Sequence, residues 1–319
     1  MKRTAALLLA GLTSAPLLAQ QYPSKPIRMV VGFAPGGGTD LVARIIGQKM
    51  TESWGQTVLV DNRAGATGTI GADIVAKAPP DGHTLLMGHV NSHGIAPNLF
   101  KKLPYDAERD FAMVAYVGYV PNVLVVHPSI PARNVKELIA IAKSQPGKLN
   151  YASSGVGSTQ HLAGELFTLL TRVQIVHVPY KGSGPAVVDL LAGHVSMNFD
   201  TMPPVLPHIK SGRMRALALT TPKRSPQLPG VPTMIEVGLA GFDMTNWYGV
   251  MALGRTPRDT VLRLNTEINR IVGLADAKSK LEEAGTQLDP MSPEQFSTFL
   301  RGEIVKYAKL VKAANVTLD

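Results

Sequence analysis

Apolar positions along the chain fall into short runs that alternate with helically spaced stripes. Ile27–Phe33 is an apolar run that empties into Gly36-Gly37-Gly38, which reads as a buried strand and a turn. Thr39–Trp54 then spaces Leu41, Val42, Ile45, Ile46 and Met50 along one helical face, with Gly55 just past its end. Thr57–Val60 reads as a second strand. Gly65–Ala78 reads as a glycine-rich turn and a helix with Ile70, Ile74 and Val75 inward, and Thr84–Gly88 as a third strand. This β-α-β-α-β order predicts a parallel sheet with right-handed crossovers. Phe111–Val126 is a longer strand-like run with Pro121-Asn122 inside it. A proline in mid-run argues against one central strand, so two strands with a crossing between them are expected.

The alternation then repeats. Val135–Lys143, Thr159–Leu170 and Pro185–Ala192 read as helices, and Leu149–Ala152, Gln174–Val178, Val195–Phe199 and Arg215–Leu219 as strands. Pro222–Pro232 is a polar, proline-rich connection, and Phe242–Leu253 a second crossing run. Arg258–Val272, Ala275–Ala284 and Pro293–Ala313 are helical, the last with Phe296, Phe299, Leu300, Ile304, Tyr307 and Leu310 on one stripe. The pattern predicts two α/β lobes: residues 20–121 with 244–319 form the first, and 122–243 the second.

Residues 1–19 stand outside that pattern. Lys2-Arg3, the apolar stretch Ala5–Leu12 and the close at Leu17-Leu18-Ala19 read as a secretory signal peptide. The competing reading is an uncleaved anchor. No later segment is apolar enough to span a bilayer. The chain has no cysteine, which excludes disulfides and thiol chemistry and suits a bacterial periplasm. Its formal charge is +9, or +7 without Lys2 and Arg3. The basic residues are scattered, apart from short pairs such as Lys101-Lys102. Nucleic acid is therefore a poor partner, whereas a diffuse positive field draws in small anions.

Two glycine loops carry the candidate chemistry. Ala34, Pro35, Gly36, Gly37, Gly38, Thr39 and Asp40 join a strand end to a helix start, where bare amides favour an anion. The loop matches neither G-x-G-x-x-G nor a P-loop. Ser153, Ser154, Gly155, Gly157, Ser158 and Thr159 form the second loop, which offers hydroxyl and amide donors to carboxylate oxygens. Ser158 and His161 raise a hydrolase alternative, although G-x-S-x-G is missing. Tyr180 can offer a ring wall and a hydroxyl. Lys181 either reaches a ligand or points to water. Asp200 either accepts from a ligand or caps the following turn. His89 and His93 are spaced for zinc only on a helix. Between Gly88 and Gly94 a loop is expected, so Asn91 and Ser92 are the better candidates for cleft residues and no metal is predicted. No cofactor is implied.

The chain resembles the Bug-type extracytoplasmic solute receptors of tripartite tricarboxylate transporters. The matching segments include Tyr22–Ile27, Ala34–Asp40, Asn62-Arg63, Lys77–Gly82, Tyr151–Gly155, His161–Glu165 and Val178–Gly182. The resemblance implies a type II periplasmic-binding-protein fold, two α/β lobes joined by two crossing strands with a ligand cleft between. It also implies a small carboxylate held between Ala34–Asp40 and Ser153–Thr159 by amides, hydroxyls and ordered water, with no catalytic step. The His89–His93 loop and the Asp200 region are then expected at the ligand's far end. Thr67 and Thr69 fall in the Gly65–Gly71 turn, where relatives often have more glycine, and Val156 and Gln160 sit where relatives vary. The implied partners are the transporter's membrane components, and the implied state is a monomer. A sensor that presents its closed state to a signalling receptor is the alternative.

Overall fold

The computed structural model describes residues 22–314 and 316, so the predicted signal segment lies outside them. The strands are β1 (Ile27–Val31), β2 (Val58–Asn62), β3 (Thr84–His89), β4 (Phe111–Val126), β5 (Asn150–Ser153), β6 (Val176–Pro179), β7 (Met197–Thr201), β8 (Arg215–Leu219), β9 (Thr245–Leu253) and β10 (Gln287–Met291). The helices are α1 (Gly38–Trp54), α2 (Thr69–Ala76), α3 (Ala96–Leu99), α4 (Val135–Ser144), α5 (Thr159–Thr171), α6 (Ser183–Leu191), α7 (Met202–Lys210), α8 (Arg258–Gly273), α9 (Ala275–Glu283) and α10 (Pro293–Ala313).

Hydrogen-bonded neighbours run β2-β1-β3-β9-β4-β7-β5-β6, with β10 and β8 also on β4. β1 is parallel to β2 and β3, as short crossover helices require. Ile27, Met29 and Val31 pack with Val42, Ile46 and Met50 of α1 and with Leu264 and Ile268 of α8. Val30 faces the opposite side. Helices cover both faces, which is why the strand reads as a continuous apolar run. Ile70, expected inward, is 48% exposed, while Val75 on the same helix is buried.

β4 is one unbroken strand, contrary to the expected pair. Phe111–Pro121 pairs with β9 in the first sheet, and Asn122–Val126 pairs with β7 and β8 in the second. Pro121 is the last residue paired with β9, at Thr245. The proline therefore falls where the partner strand changes, a position that tolerates a missing N–H. β9 also lies antiparallel to β3 and carries the chain back to the first sheet. α10 packs Phe296, Leu300 and Tyr307 onto this junction, in a cluster with Tyr116 and Trp247. Three elements were not foreseen, the short α3, α7 and β10. α7 begins with prolines in its first turn, where their missing N–H groups are harmless. β10 is a short, half-exposed strand lacking an apolar period.

Candidate functional site

A cavity of about 680 Å³ opens between the two sheets. The first sheet contributes Phe33, the Gly65–Gly68 turn, Phe100, Lys101 and Lys102. The second contributes Ser154, Gly155, Val156, Tyr180 and Lys181. The Gly65–Gly68 turn is strained. Ala66 and Thr67 both have positive φ, 43° and 57°, and a β-branched residue is a rare occupant of that region. Such strain persists only where the surroundings impose it, and it clusters at ligand sites. Among the described residues, neither the Ala66 nor the Thr67 amide has an acceptor in the protein. The Thr67 hydroxyl donates across the cleft to the carbonyl of Val156 at 2.5 Å.

A second, far smaller chamber of about 10 Å³ adjoins it. Phe33, Gly37–Thr39, His89, Ser154, Gln160, Ser183 and Thr201 line it, so Phe33 and Ser154 border both spaces. Around this chamber the first glycine loop meets the start of α6 directly. The Ala34 amide donates to the Lys181 carbonyl at 2.9 Å. A Cβ on Gly184 would overlap the Pro35 carbonyl, and one on Gly38 would overlap the Tyr248 hydroxyl oxygen. The glycines here serve backbone contact between the two sides, as well as any ligand.

The other predicted site residues divide by what their polar atoms already do. The Asp40 carboxylate is committed to its own loop. It accepts from the Gly36 amide at 3.1 Å, from Arg44 at 3.0 Å and from Asn62 at 3.0 Å. Burial raises its pKa, but those donors outweigh it and hold the group below the usual carboxylate range. Asn91 accepts from the Thr159 amide at 3.1 Å, and the Thr159 hydroxyl donates to Asn246 at 3.0 Å, so both tie the two sides together. Ser92 lines neither space, and its hydroxyl bonds the His89 carbonyl and His93 Nδ1. Its loop is helical, a wide turn over Asn91–Ile95 that runs into α3, contrary to expectation. His93 there is buried against Tyr105 and Phe111.

The Ser153 hydroxyl braces its own loop, 3.2 Å from the Gly155 carbonyl and 2.6 Å from His177 Nε2. Ser154 donates to Gln160 at 2.8 Å. Gly157 and Gly155 take positive φ, and the Gly157 amide donates to His161 Nδ1 at 3.1 Å. Ser158 caps α5 by accepting from the His161 amide at 3.2 Å. The contact joins that hydroxyl to His161's backbone, so the pair is a cap and lacks nucleophile geometry. The ring of His161 stacks on His177 with centroids 4.1 Å apart. Tyr180 presents its ring to the cleft, while its hydroxyl donates to Asp189 at 2.6 Å.

Asp200 is fully buried and faces no open space. It accepts from Ser183 at 2.5 Å, the Thr201 amide at 2.7 Å, Asn198 at 2.8 Å and Gln160 at 3.4 Å. Burial pushes its pKa up to about 6, against the pull of those donors. The expectation that Asp200 meets the ligand's far end gives way to a role beneath the chamber, holding Ser183 and Gln160 in place. Burial likewise drives His89 and His93 down to about 3, so both are neutral at pH 7. Among the described residues no three metal-ligating side chains converge, and no helix is long and apolar enough to cross a membrane.

Phe33, Phe100, Lys101, Lys102 and Ser183 were not among the predicted site residues. Phe33 ends an apolar strand and reads as core. Phe100 and the lysines follow a helix too short to show a period.

A family model described as the tripartite tricarboxylate transporter family receptor matches residues 42–316. The chain belongs to that family. Protein BugT of Bordetella pertussis is 40% identical to this receptor over 306 residues, 96% of this chain and 94% of BugT. The solved Rpa4515 protein of R. palustris with adipate superposes with a TM-score of 0.89 at 38% identity, covering 93% of this chain and 99% of its own. MatC of Rhodopseudomonas palustris with bound malate has a TM-score of 0.86 at 34% identity, covering 91% and 100%. The Bug-type resemblance and the α/β periplasmic-binding-protein fold both hold for this receptor.

Proposed function

We propose that this receptor captures a small carboxylate in the cleft and passes it to the membrane components of a tripartite tricarboxylate-type transporter. The two lobes are residues 20–121 with 244–319, and residues 122–243. The protein acts in the periplasm as a monomer after residues 1–19 are removed, and no bond is made or broken. The head group sits beside Ser154, where the cleft meets the smaller chamber, within reach of the Ala66 and Thr67 amides. One observation carries this reading: turns from both sheets face one cavity, the Ala66 and Thr67 amides there have no acceptor in the protein, and among the described residues no acidic side chain lines it. Amides in a water-poor cleft bind anionic oxygens far better than exposed ones do. The relatives with adipate and malate support the ligand class.

Bridging both loops favours the closed population, since the ligand contacts both sides only there. Ser158 and His161 are occupied in capping α5, so the hydrolase alternative gains no support. Titration calorimetry against mono-, di- and tricarboxylates and neutral sugars tests the proposal. Stoichiometric binding of a carboxylate without turnover is expected. Binding of a neutral solute with no response to any carboxylate would overturn it.

A further inference from the structure

A stack of three rings in the second sheet lies outside both spaces. His161 of α5 stacks on His177 of β6, with centroids 4.1 Å apart and planes 16° from parallel. His177 stacks in turn on Tyr151 of β5, at 4.9 Å. Neither histidine lines the cavity or the small chamber. Both instead hold the loop between β5 and α5. The Gly157 amide donates to His161 Nδ1 at 3.1 Å. A nitrogen that accepts carries no proton, so the neutral ring keeps its hydrogen on Nε2, which lies 3.7 Å from Glu165 Oε1. Glu165 Oε1 also accepts from the Tyr151 hydroxyl at 2.6 Å. His177 Nε2 meets Ser153 Oγ at 2.6 Å, and that oxygen accepts from the Gly155 amide at 3.1 Å. The loop held in this way puts Ser154, Gly155 and Val156 in the cavity wall and offers the Val156 carbonyl to Thr67 across the cleft.

Resting on the carboxylate reading, we propose that His161 is a positioning residue for ligand capture: its neutral ring holds Gly157, and with it the cavity-facing loop, in the arrangement that meets the first sheet. The device reads protons. A proton on Nδ1 turns the acceptor into a donor aimed at the Gly157 N–H, so the loop must move. The titratable groups in contact with the ring act in opposite directions. Burial holds His161 below the ordinary histidine value, although the Glu165 carboxylate favours the charged ring. His177 is driven down to about 3 by burial and by His161 beside it, so it stays neutral and leaves one titrating ring in the stack. Tyr151 is held neutral by burial and by its bond to Glu165. Affinity is therefore level in neutral solution and falls as pH drops below the ordinary histidine value of about 6.5.

Two readouts on the mature protein test this. Nitrogen-15 NMR should show His161 as the Nε2–H tautomer at pH 7.5, and the Gly157 amide should shift together with that ring as pH falls to 5. Calorimetry with adipate, malate and benzoate should show wild type weakening by about threefold to tenfold over the same range. His161→Asn places Oδ1 where Nδ1 accepts and does not titrate. It should bind within about threefold of wild type at pH 7.5 and lose the histidine part of the acid effect. His161→Phe keeps a ring in the stack but has no acceptor, and should bind roughly tenfold more weakly at pH 7.5. Protonation of the acids themselves is common to all three proteins, so the difference between proteins is the readout. Circular dichroism checks that each variant is folded. If Nδ1 carries the proton at pH 7.5, if the Gly157 amide ignores the ring's titration, if all three proteins share one pH profile, or if His161→Phe binds like wild type, the proposal fails and the carboxylate reading stands. If none of the acids binds while a neutral sugar does, the carboxylate reading itself fails, and with it the capture role of His161.

Discussion

The Ala34–Asp40 and Gly65–Gly68 turns both follow strands of the first sheet and both are rich in glycine, yet they do different work. The first is relaxed and crowded. Its acid satisfies its own amide, and its backbone lies against α6 so closely that Gly184 has no room for a Cβ. The second is strained and open, with left-handed Ala66 and Thr67 facing a cavity. A glycine run therefore marks a place where something approaches the backbone closely. It does not say whether that is a ligand or another stretch of chain.

Variants can break this contrast. Gly184→Ala puts a methyl into the Pro35 carbonyl and should disfavour the closed arrangement by about 3 kcal/mol. Ligand affinity should drop on the order of a hundredfold, and small-angle scattering should report an opened molecule. Unchanged affinity would mean that the tight packing of the first turn is incidental to binding.

Asp200, which supports Ser183 beside that turn, gives the next effect. Its folded pKa of about 6 lies above the usual carboxylate value. Between roughly pH 4 and 6 the folded state therefore binds more protons than the unfolded one, and this group's contribution to stability falls as pH rises. The full penalty, above pH 6, is roughly 3 kcal/mol. Melting temperatures of wild type and Asp200→Asn from pH 4 to 7 should show that slope in wild type and its loss in the variant. Parallel curves would count against the assignment.

Thr67 tests the second turn with two opposite signs. Thr67→Gly relieves a left-handed threonine and should raise stability by up to about 1 kcal/mol. It also removes the bond to Val156, which should weaken ligand binding by roughly threefold to tenfold. If melting temperature and affinity both fall, the strain is not local to this residue. Ser158→Ala should act least on binding. Loss of the α5 cap costs about 1 kcal/mol of stability, and carboxylate affinity should not change. A binding defect there would return Ser158 to the site.

The fold was legible where its signals are periodic. α8, α10 and the β1-α1-β2 unit follow from apolar spacing, because helices cover both sheet faces and fix which positions are buried. Pro121 misled because a strand can change partners at a proline without breaking. α7 was hidden by three prolines, two of them harmless in its first turn. At the site, glycines and hydroxyls showed where backbones converge. They could not show that Ser153, Asp40 and Asp200 spend their oxygens inside the protein. That depends on neighbours distant in sequence, such as Asn62 for Asp40 and His177 for Ser153. Lys101 and Lys102 carried only a charge signal until the fold set them in the lining of one cavity with Lys181.

The unbroken β4 has a mechanical corollary. The two sheets share a single spine at Pro121-Asn122, flanked by the start of β9 at Thr245. Any opening must flex these adjoining ribbons together, which leaves one soft axis and resists sliding or shear. Loops at the rim can then be exchanged for different cargo while the stroke of the jaw stays the same.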